Sequence, residues 1–467
     1  MTKVGSMAQF DVVVIGAGSS GHRLAILAAQ RGLSTAVIDQ QVHLGGRAVN
    51  HGQIARQVLL QAATARRASK PDRSMIDQQS RQSWSQALEQ AGGVSGRLRE
   101  SVQLHLRKNK VTVYQGKARV LDDLTVTIGC DAEDIEPLAA RAIVVATGSL
   151  DQASSGLTLD GRVITESDLL QLPEPPSAVV LTGDSGRSLE WAYILRSFGV
   201  AVTILSGAER LLPMADREVS AQLQRWLRAD QTDRLFNAAI ASLADDGRQL
   251  SINLTDQSRR ELRADYLVCL DDPVPNLEAV AGIDLALGAS STRGIVTDQF
   301  GHSSHDRIWA VGSVCDGIGQ SAISWSQAMV VADQLAGRPS EPVKERLIPK
   351  VVGGGLPVAW FGLTEDDARS LGVDWVKSKL PLSASPIGWI DGGTQGFIKL
   401  ICAQPHHEIL GAHLVGPGAE QLLPELLLAA TWDLSADELA VTLQARGSIA
   451  EALRDVAAGV SGPMLHY

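Results

Sequence analysis

Phe10-Asp11-Val12-Val13-Val14-Ile15-Gly16-Ala17-Gly18-Ser19-Ser20-Gly21 is the stretch on which the reading of this protein turns. The apolar run Val12 to Ile15 has the length and composition of a fully buried parallel strand. A G-x-G-x-x-G turn follows at once, and Leu24, Leu27, Ala28 and Arg31 then recur at helical spacing. Gly32 falls where a helix C-cap belongs. A second strand, Ser34 to Ile38, ends at Asp39. Each element has a physical task. Gly16 allows the tight turn, Gly18 lets a pyrophosphate approach the backbone, and Gly21 lets the helix pack against the strand. Ser19 and Ser20 lead into the helix, whose N-terminus supplies N–H donors and a positive dipole end. Asp39, about twenty residues on, is placed to accept hydrogen bonds from a ribose diol. Glycines alone say little, but strand, turn, helix, strand and terminal acid in this order predict a dinucleotide site.

Further units of the same kind lie downstream. Arg141 to Gly148 reads as a strand running into a loop, through Ala146, Thr147 and Gly148. Residues 156–178 read as turn-rich, with Pro173, Pro175 and Pro176 marking a domain crossing. Ala178 to Leu181 opens a second strand–turn–helix unit, followed by a strand over Val200 to Leu205. A strand ends near Ala310-Val311-Gly312-Ser313, and Ser324 to Leu335 is helical, closed by Gly337, Arg338 and Pro339. From Pro349 the pattern changes. Glycine-rich Gly353-Gly354-Gly355 precedes strands over Gly396 to Ile401 and Ile409 to Val415, then helices over Glu420 to Thr431 and Ile449 to Ala458. Strands followed by helices predict an α+β module.

Composition bounds the rest. A length of 467 residues suggests roughly three domains. Apolar residues at 45% and charged residues at 20% provide for a sizeable core and exclude a disordered chain. A net charge of −10 argues against a nucleic-acid or anionic-membrane binder. The apolar runs are far shorter than the ~20 residues of a membrane span. Met1 to Gln9 has no long apolar stretch, so no signal peptide is expected and the cytoplasm is the expected location. Cys130, Cys269, Cys315 and Cys402 are scattered, without C-x-x-C or zinc-like spacing, as suits a reducing compartment. They are expected to be buried apolar thiols, and no metal site is predicted.

Five stretches together resemble the pyridine nucleotide–disulfide oxidoreductases, most nearly the dihydrolipoamide dehydrogenases. These are the first glycine motif, Leu44-Gly45-Gly46, Ala146-Thr147-Gly148-Ser149, Ala310-Val311-Gly312, and the C-terminal Gly362-Leu363-Thr364 with Leu410-Gly411-Ala412-His413-Leu414-Val415-Gly416. The resemblance implies an α/β protein with two interleaved doubly wound, Rossmann-like domains for FAD and NAD(P) and a C-terminal α+β dimerisation domain. On this pattern residues 1–150 and 271–345 form the FAD domain, 151–270 the NAD(P) domain and 346–467 the dimerisation domain of a homodimer. Gly16, Gly18, Ser19, Ser20, Gly21, Asp39, Gly45, Gly46, Arg47, Ala146, Thr147, Gly148, Gly312 and Ser313 are then the expected FAD contacts.

The chain departs from that pattern where the family's chemistry lies. The two positions of the family's redox-active cysteines fall on Ala48 and Gln53, and neither side chain forms a thiolate. The family's lysine beside the flavin falls on Gln57. Its C-terminal His–Glu pair falls on Arg446 and Glu451, and an arginine that stays protonated does not shuttle protons. In the second glycine motif Gly183 and Glu190 are kept, but Ser185 and Ser188 stand for glycines, and Asp184 brings a negative charge beside the pyrophosphate position. Ser206 replaces the ribose-binding acid, and Asp271-Asp272-Pro273-Val274-Pro275-Asn276 replaces the usual turn. Arg210 is a candidate partner for a 2′-phosphate. Ser313 replaces an aspartate on the flavin ribityl chain, with Asp316 as a candidate substitute. Cys315 and His51 are candidates for residues near the flavin ring, against a passive small residue and a packed helical histidine.

Two functions follow from this pattern. One is an FAD-dependent oxidoreductase that passes electrons from NAD(P)H to an unidentified acceptor other than a disulfide, such as a quinone, oxygen or another nucleotide. The other is a catalytically inactive flavin- or nucleotide-binding paralogue that acts as a structural or regulatory partner of another protein.

Overall fold

A computed structural model describes residues 8–69, 76–121, 125–129, 135–154, 157–255, 261–289, 293–317, 323–390 and 392–464. Two compact units result: Met1–Leu59, Ser83–Pro173 and Asp271–Val343 in one, and Leu60–Gln82, Glu174–Leu270 and Lys344–Tyr467 in the other.

In the first unit β1 (Gln9–Ile15) leads through α1 (Gly21–Gln30) to β2 (Thr35–Asp39). The two strands pair in parallel from Val12↔Thr35 to Ile15↔Ile38. Among the described residues the sheet has seven strands. Thr112–Gln115 flanks β2, Ile135–Val145 flanks β1, and Ile308–Ala310 adds to Ile135–Val145 in parallel. An antiparallel meander, Lys117–Val120 and Thr125–Gly129, completes it. Both faces are covered, so β1 is apolar without alternation. Val13 and Ile15 pack in one core cluster and Val12 and Val14 in the other, with Leu24 and Ala25 of α1. Gly32 ends α1 in the left-handed conformation, φ +91°. Helices α2 (Gly46–Asn50) and α3 (Gln53–Ala68) follow β2 in the chain.

The second unit contains β3 (Ala178–Thr182), α4 (Gly186–Ser197) and β4 (Ala201–Leu205). Asp233–Leu235, β4, β3 and Tyr266–Cys269 lie side by side in parallel. Ile240–Asp245, Leu250–Leu254 and Glu261–Ala264 form an antiparallel meander. From Lys350 the architecture changes to an antiparallel sheet in the order Lys350–Val352, Val358–Gly362, Ile409–Val415, Phe397–Ala403, Trp375–Pro381. The helices Ala419–Thr431 and Ile449–Ala458 cover it through Leu422, Leu426, Leu453 and Val456. Two doubly wound sheets with an α+β module are the fold class that the family resemblance implies.

Two differences have physical causes. Of the stretch read as turn-rich, the described residues 157–178 contain more order than their prolines suggest: a strand, Val163–Thr165, and a helix, Glu166–Leu169. Thr165 and Asp168 form a capping box that starts that helix within one turn. The second is Lys399, whose side chain is 0% exposed in the middle of a strand. Its Nζ lies 2.9 Å from Asp216 and 3.1 Å from Glu218, and it also contacts Glu365. These three carboxylates are close enough to share a cation, and the lysine ammonium stands on all of them. Cys269, Cys315 and Cys402 are buried thiols outside any disulfide, while Cys130 lies outside the described residues. No helix among the described residues is long and apolar enough to cross a membrane.

Candidate functional site

The loop between β1 and α1 is built by close backbone approach. Gly16 has φ +104°, and a Cβ on it would lie 2.3 Å from the Ala146 carbonyl oxygen. A Cβ on Gly21 would lie 1.9 Å from the Gly16 oxygen. Gly46, at φ +62°, seats the start of α2 on Gly18, where a Cβ would come to 2.5 Å from the Gly18 Cα. The Gly45 N–H donates to the Ala17 oxygen at 3.1 Å. Gly18 is the exception: a Cβ there would meet nothing nearer than the Gly46 Cα at 3.8 Å. That open face above the start of a helix fits a pyrophosphate. Asp39 Oδ2 accepts the Ala17 N–H at 2.6 Å and Oδ1 accepts the Gln41 N–H at 2.8 Å. Burial raises its pKa.

Two other predicted stretches join this loop. The Ala146 N–H donates to the Ile15 oxygen, and the Thr147 hydroxyl donates to the Asn276 carbonyl at 2.6 Å. Gly148 and Gly312 have φ +74° and +81°. A Cβ on Gly312 would strike the Ser20 hydroxyl at 2.4 Å, and one on Gly148 would come within 3.7 Å of the Ser313 hydroxyl. Ser20, Gly148, Gly312 and Ser313 are therefore neighbours at the mouth of the loop, with Ser19 beside Ser20 in the chain. Asp316 does not join them. Its carboxylate accepts the Gly294 N–H at 3.2 Å and lies where a Cβ on Gly288 would be, so it is committed to another loop. The buried Cys315 thiol, pushed up to about 12 by desolvation, is not poised for redox work.

Ala48 sits on α2, Gln53 opens α3, and Gln57 is exposed. The Arg47 guanidinium pairs with Asp151. Arg56, which the sequence reading passed over, makes a buried pair with Glu166. Gly52, at φ +143°, makes room for it, since a Cβ there would meet the Glu166 carboxyl carbon at 2.5 Å. Burial, then the charge of Arg47, holds His51 below the usual histidine range, so it is neutral near pH 7.

In the second unit Gly183 keeps the tight turn at φ +91°. Ser188 fits in place of glycine because its buried hydroxyl donates to the Thr182 oxygen at 3.0 Å. Arg210 does not face a nucleotide: its guanidinium donates to the Ala215 oxygen, the Pro213 oxygen and the Ser220 hydroxyl within 2.9 Å. Asp184 accepts from the hydroxyl of Ser206, the residue after β4, at 3.2 Å. Glu190 is buried and accepts the Gly353 N–H at 2.9 Å. Arg446 is exposed, and Glu451 accepts the Gly447 N–H at 2.8 Å.

Comparison with known proteins agrees with this arrangement. Residues 10–329 match the family model described as pyridine nucleotide-disulphide oxidoreductase, and residues 348–457 match its dimerisation domain. The chain is 31% identical over 466 residues to a dihydrolipoyl dehydrogenase of Mycobacterium tuberculosis, covering 99% of this chain and 100% of the relative. It is 30% identical to dihydrolipoyl dehydrogenase 3 of Pseudomonas aeruginosa, covering 98% and 99%. Among solved structures, a copper(II) complex of the HOCl-induced flavoprotein disulfide reductase RclA from Escherichia coli superposes with a TM-score of 0.85 at 24% identity, covering 97% and 99%. LpdA from Mycobacterium tuberculosis superposes with a TM-score of 0.87 at 18% identity, covering 97% and 99%. Enzymes of this family bind FAD and carry NAD(P)H-binding domains. On its matching residues and its two doubly wound units, this chain belongs to the pyridine nucleotide–disulphide oxidoreductase family.

Proposed function

We propose that this protein is an FAD-dependent oxidoreductase that takes electrons from a reduced pyridine nucleotide and passes them to an acceptor other than a disulfide. The observation that carries the proposal is the glycine turn of β1 and α1, with its open Gly18 face, on which Gly46 seats the segment where the family resemblance puts the dithiol positions on Ala48 and Gln53. Bound FAD supplies the redox chemistry itself, so no protein thiol is required. The chain's own residues do the holding. Gly18 leaves the pyrophosphate seat open, the first turn of α1 directs N–H groups at it, and Asp39 accepts from the ribose diol. The Ser20 and Ser313 hydroxyls would hold the cofactor's linking chain. Arg446 is exposed and its guanidinium is a donor without an acceptor atom, so the acceptor is one that needs no acid–base residue at that position.

On this reading residues 1–150 and 271–345 hold FAD, 151–270 receive the pyridine nucleotide, and 346–467 join two copies of the chain. The buried thiols suit the cytoplasm. A second reading, a nucleotide-binding paralogue without turnover, is favoured by Gln57, exposed and uncharged at the position where the family carries its flavin lysine.

A spectrum separates the two. The purified protein is expected to show a flavin band in the blue that NADH or NADPH bleaches without oxygen, and dihydrolipoamide is expected to leave it unchanged. Flavin that neither nucleotide reduces selects the second reading, and a colourless protein rejects both. Ser313→Asp is expected to tighten FAD binding roughly fivefold, because a hydrogen bond to a carboxylate is worth about 1 kcal/mol more than one to a hydroxyl. Quenching of FAD fluorescence on titration with apoprotein measures this, and unchanged affinity removes Ser313 from the site.

A further inference from the structure

His22, the second residue of α1, reaches back along the first cradle, the turn between β1 and α1. The residue is half-buried, and its Nδ1 lies 2.7 Å from the Gly18 carbonyl oxygen. A carbonyl only accepts, so Nδ1 carries the proton and donates it. The His22 backbone N–H donates to the same oxygen at 3.1 Å, so one residue fastens this carbonyl twice. The peptide joining Gly18 to Ser19 is trans, and its N–H therefore points opposite to its carbonyl. With the oxygen drawn toward the helix, the Ser19 N–H points out of it. Among the described residues neither the Ser19 nor the Ser20 N–H has an acceptor, so both donors are open to a ligand. The second cradle, the turn between β3 and α4, supplies a contrast. Gly18 and His22 correspond there to Ser185 and Leu189. Leu189 is buried hydrocarbon and offers only its backbone N–H, which lies 3.4 Å from the Ser185 oxygen.

We propose that His22 is a positioning residue for FAD: its imidazole N–H fixes the Gly18 carbonyl and so sets the Ser19 N–H on the pyrophosphate. The inference rests on the reading of this turn as the FAD seat. Gly18 has no Cβ to restrict the rotation of its own peptide, so a second hydrogen bond supplies the order that the open face gives up. The ring does this uncharged. Burial pushes its pKa down to about 4 against the pull of the Gly18 and Ala17 carbonyls, and the charges of Arg23 on α1 and His105 on the helix Gln78–Lys108 push the same way. An uncharged amide is therefore the matching substitute. The side-chain nitrogen of Asn stands as many bonds from the backbone as Nδ1 does, and it is a donor.

The test is titration of the apoprotein with FAD, read by quenching of flavin fluorescence, and with ADP, read by competition with FAD. Both report binding without turnover. His22→Leu copies the second cradle and is expected to weaken FAD and ADP alike by about tenfold, roughly what one hydrogen bond to a charged group contributes. His22→Asn keeps the donor and is expected to stay within about threefold of the parent. Thermal denaturation reports whether each apoprotein folds, and His22→Ala removes the donor in place of a His22→Leu chain that does not. A donor-free variant that binds FAD as the parent does overturns the assignment and leaves the proposed function standing. So does His22→Asn losing as much as His22→Leu, which would mean that the ring only packs, or a loss on FAD that ADP does not share. A folded parent apoprotein that binds no FAD overturns both.

Discussion

A Gly21→Ala variant is expected to purify without its flavin and to unfold at a lower temperature than the parent. The added Cβ would lie 1.9 Å from the Gly16 carbonyl oxygen and 3.0 Å from the Ala146 Cβ. Neither obstacle is a flexible side-chain end, so α1 must lift off β1. Leu24 and Ala25, both fully buried, then lose part of their packing. Overpacking of this kind costs roughly 1–3 kcal/mol, and the displaced helix start no longer aims its N–H groups at the phosphate seat. A loss of at least about a hundredfold in FAD affinity follows. Gly18→Ala is the control. Its Cβ meets only the Gly46 Cα, at 3.8 Å, so the fold tolerates it, but it fills the pyrophosphate seat. Flavin loss without a drop in the melting temperature of the apoprotein is expected. Absorbance gives flavin per chain and thermal denaturation gives stability. Gly18→Ala retaining full flavin would place the phosphate elsewhere.

Lys399→Met carries the second large effect, on stability and not on colour. The variant keeps an unbranched side chain, one heavy atom shorter, but strands Asp216, Glu218 and Glu365 around an apolar group. Removing one partner of a buried ionic cluster typically costs 3–5 kcal/mol. The lower end, about 3 kcal/mol, applies here, because Lys379 still contacts Glu218 and Lys377 still contacts Glu365. Burial alone would raise these carboxyls. Hydrogen bonds and charge from Lys399 and its neighbours nevertheless hold all three below the ordinary carboxylate range. Their contribution in the parent protein is therefore present above the unfolded carboxylate pKa and lost as pH falls through the lower folded values. Burial likewise works against the Lys399 ammonium, but its partners raise its pKa, so its share is present below the unfolded lysine pKa and lost as pH rises through the folded one. The deficit of Lys399→Met should be greatest near pH 7 and shrink on acidification, where the stranded carboxyls take up protons. Urea midpoints of parent and variant measure it. A difference under about 0.5 kcal/mol at pH 7, the range of ordinary surface substitutions, would mean that the lysine holds nothing together.

The first cradle was legible because its residues are constrained by backbone geometry: Gly16, Gly21 and Gly46 each occupy places where a Cβ collides. Such constraints leave a mark in sequence that is local and ordered. The chemistry of the second cradle was not legible in the same way. Asp184 read as a charge next to a phosphate, and only the direction of its side chain shows that it faces Ser206. Arg210 was ambiguous for a similar reason, since the carbonyls that occupy it belong to a turn whose shape the sequence does not disclose. Lys399 and Arg56 escaped altogether. A buried lysine in a strand has no local signal, and its three acids come from residues 34 to 183 positions away. The capping box at Thr165 to Asp168 was there to be read, but the prolines after it drew the whole stretch into a turn.

The seating of Gly46 on Gly18 has a thermodynamic consequence. Because α2 starts on the backbone that forms the phosphate seat, whatever fills that seat also braces the turn carrying Arg47 to His51. Occupancy and local order are then linked quantities: the ligand's binding free energy is shared with the segment it immobilises, and the empty protein must give up part of its affinity to freeze that segment first. Filling the seat would in this way also set how well the turn from Arg47 to His51 resists a protease.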